Sequence, residues 1–170
     1  MFILITGAND SGKSACAERI AARIGGRMIY VATMIPQGEE GRARVEKHRR
    51  QRAGLGFATY ELPRSLQALD AGADALVLLE DASNLLANVL FGGGGSADRV
   101  LQDIKDLARR CGTLIVVTIG GLSPDGWDGE TKNYVQALNW LNGELEKEAG
   151  AVVEMRGGVP HLRKGAGPWC

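Results

Sequence analysis

Residues 7–14 read Gly7-Ala8-Asn9-Asp10-Ser11-Gly12-Lys13-Ser14, directly after the apolar run Phe2-Ile3-Leu4-Ile5-Thr6 and directly before a helical pattern. A strand that ends in a glycine-rich turn points backbone N–H groups into a concave nest. The helix that follows adds its positive N-terminal end, so a phosphate chain is held largely by main-chain donors. Gly7 and Gly12 permit that backbone. Lys13 can reach the β- and γ-phosphates, and the Ser14 hydroxyl is the expected ligand of a Mg²⁺ ion bridging them. The stretch is a complete phosphate-binding P-loop in its proper setting, and all eight residues are candidate nucleotide contacts.

Outward from this loop, short apolar runs alternate with helical patterns, the signature of a mostly parallel sheet with helices on both faces. Strands are expected at 2–6, 28–33, 76–80, 113–118 and 151–155, with a further terminal one at 159–162. Helices are expected at about 12–24, 39–53, 83–91, 97–110 and 130–148, and Gly92–Gly95 reads as a flexible connection. A length of 170 residues fits one domain over 1–170, of α/β, P-loop NTPase-like fold.

Twenty basic and twenty acidic residues cancel, so the whole-molecule field attracts neither nucleic acid nor anionic membrane. An aromatic content of 5% argues against a base-stacking platform. With no signal-like N-terminal segment and no run of bilayer length, the expectation is a cytoplasmic protein without a membrane span. Cys16, Cys111 and Cys170 form neither a metal pair nor an even disulfide set.

The run Leu76-Val77-Leu78-Leu79-Glu80-Asp81 ends a buried strand with a carboxylate, as the second acidic element of P-loop enzymes does. Glu80 is the candidate partner of Ser14 in holding the metal, and Asp81 fits a helix N-cap. The segment from Glu39 to Arg52 is strongly charged and holds His48, one of only two histidines. On a helix, Arg44, His48 and Arg52 stack at i, i+4 and i+8. Nearby cations disfavour imidazolium, which leaves a ring nitrogen able to attack phosphorus while arginines hold the phosphates. From spacing alone, a solvated helix with Glu39, Glu40 and Glu46 paired to arginines accounts for the same pattern. A nucleic-acid patch lacks interleaved aromatics.

Several segments occur together in order: the P-loop, Tyr30-Val31-Ala32-Thr33, Arg44-Val45-x-x-His48-x-x-x-Arg52, Thr59-Tyr60-Glu61-Leu62-Pro63, and Leu78-Leu79-Glu80-Asp81 running on to Leu86-x-Asn88-x-Leu90-Phe91. Together they resemble the bifunctional adenosylcobinamide kinase and adenosylcobinamide-phosphate guanylyltransferase family of cobalamin biosynthesis, over roughly residues 1–120. The resemblance implies two reactions. One phosphorylates adenosylcobinamide with a nucleoside triphosphate. In the other, His48 takes GMP from GTP as a phosphoramidate and passes it to adenosylcobinamide-phosphate. It further implies Lys13 in catalysis, Thr33, Arg52 and Glu80 among the nucleotide contacts, Glu61 as a guanine contact or else an exposed strand glutamate, ATP and GTP as substrates, a corrinoid acceptor, and a homo-oligomer, a trimer.

The chain departs from the family at Asp10, where a basic residue is usual. It departs again at Thr118-Ile119-Gly120-Gly121, which stands for an Asn-Glu-Val-Gly element, and at Glu130–Gln136, where an Arg-x-Phe-Arg-Asp helix start is absent; Asn142 still fits the family's pattern. These changes predict that one activity is reduced, with the guanylyltransferase half favoured for retention. A small-molecule kinase without histidine chemistry and a non-catalytic nucleotide-binding paralogue are the rival expectations. Of the tryptophans, Trp140 is expected in the core or a subunit contact, while Trp127 sits in a turn-rich loop and Trp169 has no assigned role. His161 reads as an edge-strand residue.

Overall fold

The computed structural model describes residues 1–166, without the side chains of Arg44 and Gln51, so Trp169 and Cys170 lie outside the described residues. In chain order the elements are β1 (Phe2–Gly7), α1 (Lys13–Ile24), β2 (Arg27–Ala32), α2 (Gly38–Arg52), β3 (Ala58–Glu61), β4 (Ala75–Glu80), α3 (Ala82–Gly93), α4 (Ala97–Arg110), β5 (Thr113–Val117), α5 (Gly129–Glu148), β6 (Ala151–Arg156) and β7 (Val159–Lys164). The strands form a seven-stranded sheet in the order β3-β2-β4-β5-β1-β6-β7. Every pairing is parallel except the β6–β7 hairpin.

The alternation of side chains along a strand sorts the apolar residues into two layers. Ile3 and Ile5 of β1, Leu76 and Leu78 of β4, and Ile115 and Val117 of β5 pack on one face against Cys16, Ala17, Ile20 and Ala21 of α1. Leu4, Val77, Leu79, Leu114 and Val116 pack on the other against Leu85, Leu86, Ile104, Leu107, Leu138, Leu141 and Leu145 of α3, α4 and α5. Central strands covered on both faces read as continuous apolar runs, which is why β1, β4 and β5 were visible in sequence. Cys16 and Cys111 are buried, and neither joins a disulfide among the described residues.

Two expectations are corrected and a third is narrowed. Ala58–Glu61 is a strand, but all four residues are exposed, so it lacks the apolar run that marks the others. Gly92 and Gly93 continue α3 instead of forming a flexible connection, and Gly94, at φ 66°, supplies the left-handed C-cap. Trp140 is 40% exposed on α5 and is therefore not a core residue of the chain. His161 lies on the exposed edge strand β7, where it was expected.

This topology sets where chemistry can occur. The carboxyl ends of β1, β4, β5 and β2 open on the same side of a parallel sheet, and the loops leaving them surround one crevice.

Candidate active site

Gly7 ends β1 at φ 147°, and a Cβ there would meet Met155 O at 2.6 Å, so only glycine fits. Gly12 caps α1 at φ 88°. Asp10 is the one non-glycine residue with positive φ among the described residues, at 54°. A short carboxylate side chain tolerates that backbone through local hydrogen bonding. Lys13, only 7% exposed, donates to Ala8 O at 2.5 Å, which folds the loop over its own lysine. Burial lowers the Lys13 pKa, opposed by the charges of Asp81, Glu80 and Asp10. The Ser11 hydroxyl is buried and has no hydrogen-bond partner among the described residues.

Ser14 Oγ donates to Glu80 Oε1 at 2.6 Å, which joins the first turn of α1 to the end of β4. The other oxygen, Oε2, is buried without a partner among the described residues. Burial, reinforced by Asp81, pushes the Glu80 carboxyl up to about 8. An under-satisfied carboxylate oxygen beside a serine hydroxyl is an all-oxygen donor pair suited to a hard divalent cation, with phosphate and water completing the shell. Thr33, fully buried, holds this corner. Its hydroxyl accepts from Asp81 N at 2.9 Å and faces Asp81 O at 2.8 Å and Glu80 O at 3.1 Å. Asn88 Nδ2 donates to Thr33 O and Pro63 O. Asp81 caps α3 by accepting from Asn84 N at 2.6 Å, in the role expected for it.

The opposite wall is α2, with His48 half-buried facing the cleft and Arg52 only 8% exposed at its end. The Arg52 guanidinium lies 3.5 Å above the Tyr30 ring centroid, and Tyr30 meets Phe57 edge-on. A stacked guanidinium keeps its N–H groups in the ring plane direction, available to phosphate. Buried Glu18, on α1, has its pKa raised by burial and held back by the Arg52 charge. On the exposed side Glu46 pairs with Arg50 at 3.2 Å, the solvated-helix feature of this segment. Glu61 accepts from Arg49 at 2.9 Å, an exposed pair that ties β3 to α2.

Between these walls lies an open cleft of about 950 Å³. Its lining includes Asn9 to Ser14, Arg42, His48, Arg52, Glu61, Glu80 and Ile119, so every predicted site residue except Gly7, Ala8 and Thr33 lines it; Ala8 O accepts from Lys13, and Thr33 holds the Glu80–Asp81 corner. The side chain of Arg44, third member of the predicted stripe, lies outside the described residues. The segment after β5 is held from below. Ser83 Oγ accepts from Ile119 N at 2.7 Å, and Thr118 Oγ1 donates to Asn142 Oδ1 at 2.7 Å. Asn142 Nδ2 in turn donates to Ile119 O at 2.8 Å. Glu18 and Ser83 escaped sequence reasoning, because a lone glutamate or serine within a helix carries no spacing signal.

The loop at the carboxyl end of β1, with Ser14 reaching past β5 to a β4 carboxylate, places the chain among P-loop nucleotide-binding proteins. Its fold matches an ATPase of the type III secretion system of pathogenic bacteria, with TM-score 0.53 and 13% identity over 95% of this chain and 56% of that one. Within that class, the family model for cobinamide kinase / cobinamide phosphate guanyltransferase matches residues 3–162, and the chain belongs to this family. It is 30% identical to a bifunctional adenosylcobalamin biosynthesis protein of Pseudomonas aeruginosa, over 95% of this chain and 96% of the relative. A protein of the same description from Escherichia coli is 36% identical over 58% of this chain and 55% of its own length. No helix among the described residues is long and apolar enough to cross a membrane.

Proposed function

We propose that this enzyme of cobalamin assembly uses the single cleft between the P-loop and α2 for both phosphoryl and guanylyl transfer. The observation that carries the proposal is the shared lining: Lys13, Ser14 and Glu80 on one wall, His48 and Arg52 on the other. In the kinase reaction, the cobinamide hydroxyl oxygen attacks the γ-phosphorus of the nucleoside triphosphate. The bond to the β,γ-bridging oxygen breaks, the diphosphate departs with that electron pair, and the hydroxyl proton passes to solvent. Lys13 and the loop amides of Asn9 to Ser14 orient the phosphates and hold the developing charge.

In the guanylyl reaction, a neutral His48 ring nitrogen attacks the α-phosphorus of GTP. An N–P bond forms, the bond to the α,β-bridging oxygen breaks, and pyrophosphate leaves. A phosphate oxygen of cobinamide-phosphate then attacks the same phosphorus and releases the histidine, giving cobinamide-GDP. Two moderate displacements replace one hard one. Arg52 holds the phosphates during both, and Glu61 accepts from the guanine N–H edge when it exchanges its Arg49 partner. Ser14 and Glu80 would hold Mg²⁺, which screens triphosphate charge when bound. Asp10 stands exposed at the loop tip, so the charge it adds near the phosphates is partly screened.

The same reading takes residues 1–170 as one cytoplasmic unit that assembles as a homo-oligomer, a trimer by family resemblance, with half-exposed Trp140 in subunit packing. The two half reactions separate it from its rivals. Wild-type enzyme is expected to phosphorylate cobinamide with ATP and to convert the product with GTP. His48→Ala keeps the first activity and loses the second. Loss of both, or of neither, refutes the assignment of His48.

A further inference from the structure

A second groove, of about 760 Å³, lies beyond the nucleotide cleft, and nothing in the chemistry above uses it. The two share Met34 and Asn84, so a molecule in the groove has a direct path to the P-loop wall. Its lining combines apolar and amide groups. Phe91 is 57% exposed and Ile35 39% exposed, large apolar surfaces left to solvent at the rim. Both Nδ2 hydrogens of Asn88 are spent on Thr33 O and Pro63 O, which leaves its Oδ1 as an acceptor. Arg64 lies flat against Gly92, where an added Cβ would stand 3.0 Å from its Nε, and it forms no hydrogen bond or ion pair with another described residue.

We propose that this groove is the acceptor subsite, seating the corrin macrocycle of cobinamide with its hydroxyl- or phosphate-bearing arm passing Met34 and Asn84 into the nucleotide cleft. The inference rests on the cobinamide reading and adds the place where that substrate sits. A corrin is a broad apolar ring fringed by carboxamides. Phe91 and Ile35 match the ring, while the Arg64 N–H fork and Asn88 Oδ1 match carboxamide oxygen and nitrogen.

The test is equilibrium binding of cobinamide, followed by its visible absorbance, to wild type, Phe91→Ala and Arg64→Gln. Both positions are exposed, so fold is not at stake, and equal thermal midpoints verify it. Each variant is expected to weaken cobinamide binding about tenfold, in line with losing one aromatic or charged contact. Guanylylation of the protein by GTP alone, which needs no acceptor, is followed in parallel. Cobinamide binding at wild-type strength by both variants overturns the subsite. A wild-type protein that binds cobinamide, weakened in both variants, yet forms no guanylyl adduct upholds the groove and refutes the histidine chemistry. A wild type that forms the adduct but does not bind cobinamide does the reverse.

Discussion

Replacing Thr33 by valine keeps the shape of the side chain and removes one hydroxyl, so its effect isolates the clasp that aligns Glu80. In the structure that hydroxyl accepts from Asp81 N at 2.9 Å and donates toward Asp81 O at 2.8 Å, with Glu80 O at 3.1 Å sharing the hydrogen. Thr33 is fully buried, so no water replaces it, and valine leaves the Asp81 N–H without an acceptor. An unmet donor of this kind costs about 1–3 kcal/mol, and the lost donation to carbonyl about 1 kcal/mol more, so Thr33→Val should destabilise by about 2–4 kcal/mol. With a urea slope near the middle of the usual range, about 2 kcal/mol/M, the midpoint moves by about 1–2 M. Both half reactions should fall together, since the Ser14–Glu80 pair loses its backing. A shift below roughly 0.5 kcal/mol, the scale of an ordinary surface substitution, would refute the clasp.

Gly120→Ala puts a methyl group into Thr6 Oγ1 beside the Gly120 N to Gly7 O bond, and nucleotide binding should drop at least about tenfold, read by calorimetry. Arg52→Lys loses the flat stack on Tyr30 and the donor fork, so the KM for GTP should rise about tenfold while the fold survives, measured by steady-state kinetics. In metal-free protein, the folded Glu80 value of about 8 lies above the ordinary 4.5, so its stability contribution is full at low pH and is lost as pH rises through about 8. Denaturation profiles should show that decline, and Glu80→Gln should flatten it.

The parts of the site that were legible in sequence are those where backbone chemistry demands particular residues. Gly7 and Gly12 have to be glycine, Lys13 and Ser14 follow at the helix start, and Asp81 caps α3; each left a mark at fixed spacing. The central strands were legible because burial on both faces needs unbroken apolar runs. What escaped lies where tertiary contact, not local pattern, decides. β3 is an exposed edge strand joined by main-chain bonds to β2, so its side chains carry no alternation. Gly92 and Gly93 are poor helix formers retained in α3, with Arg64 packed over Gly92 and Gly94 available as a cap. Glu18 matters through its burial beside Arg52, thirty-four positions along the chain, and no local signal spans that distance. Spacing placed His48 and Arg52 on a common face but left the face's role open; the fold turns it toward the P-loop across one cleft.

The most direct measurement of that shared cleft is the intact mass of the protein after incubation with Mg²⁺ and GTP, beside His48→Ala and an ATP control. The account predicts an acid-labile increase of one GMP in wild type with GTP and none in the variant. Nucleotide binding without that adduct, or an adduct that persists in His48→Ala, would contradict it.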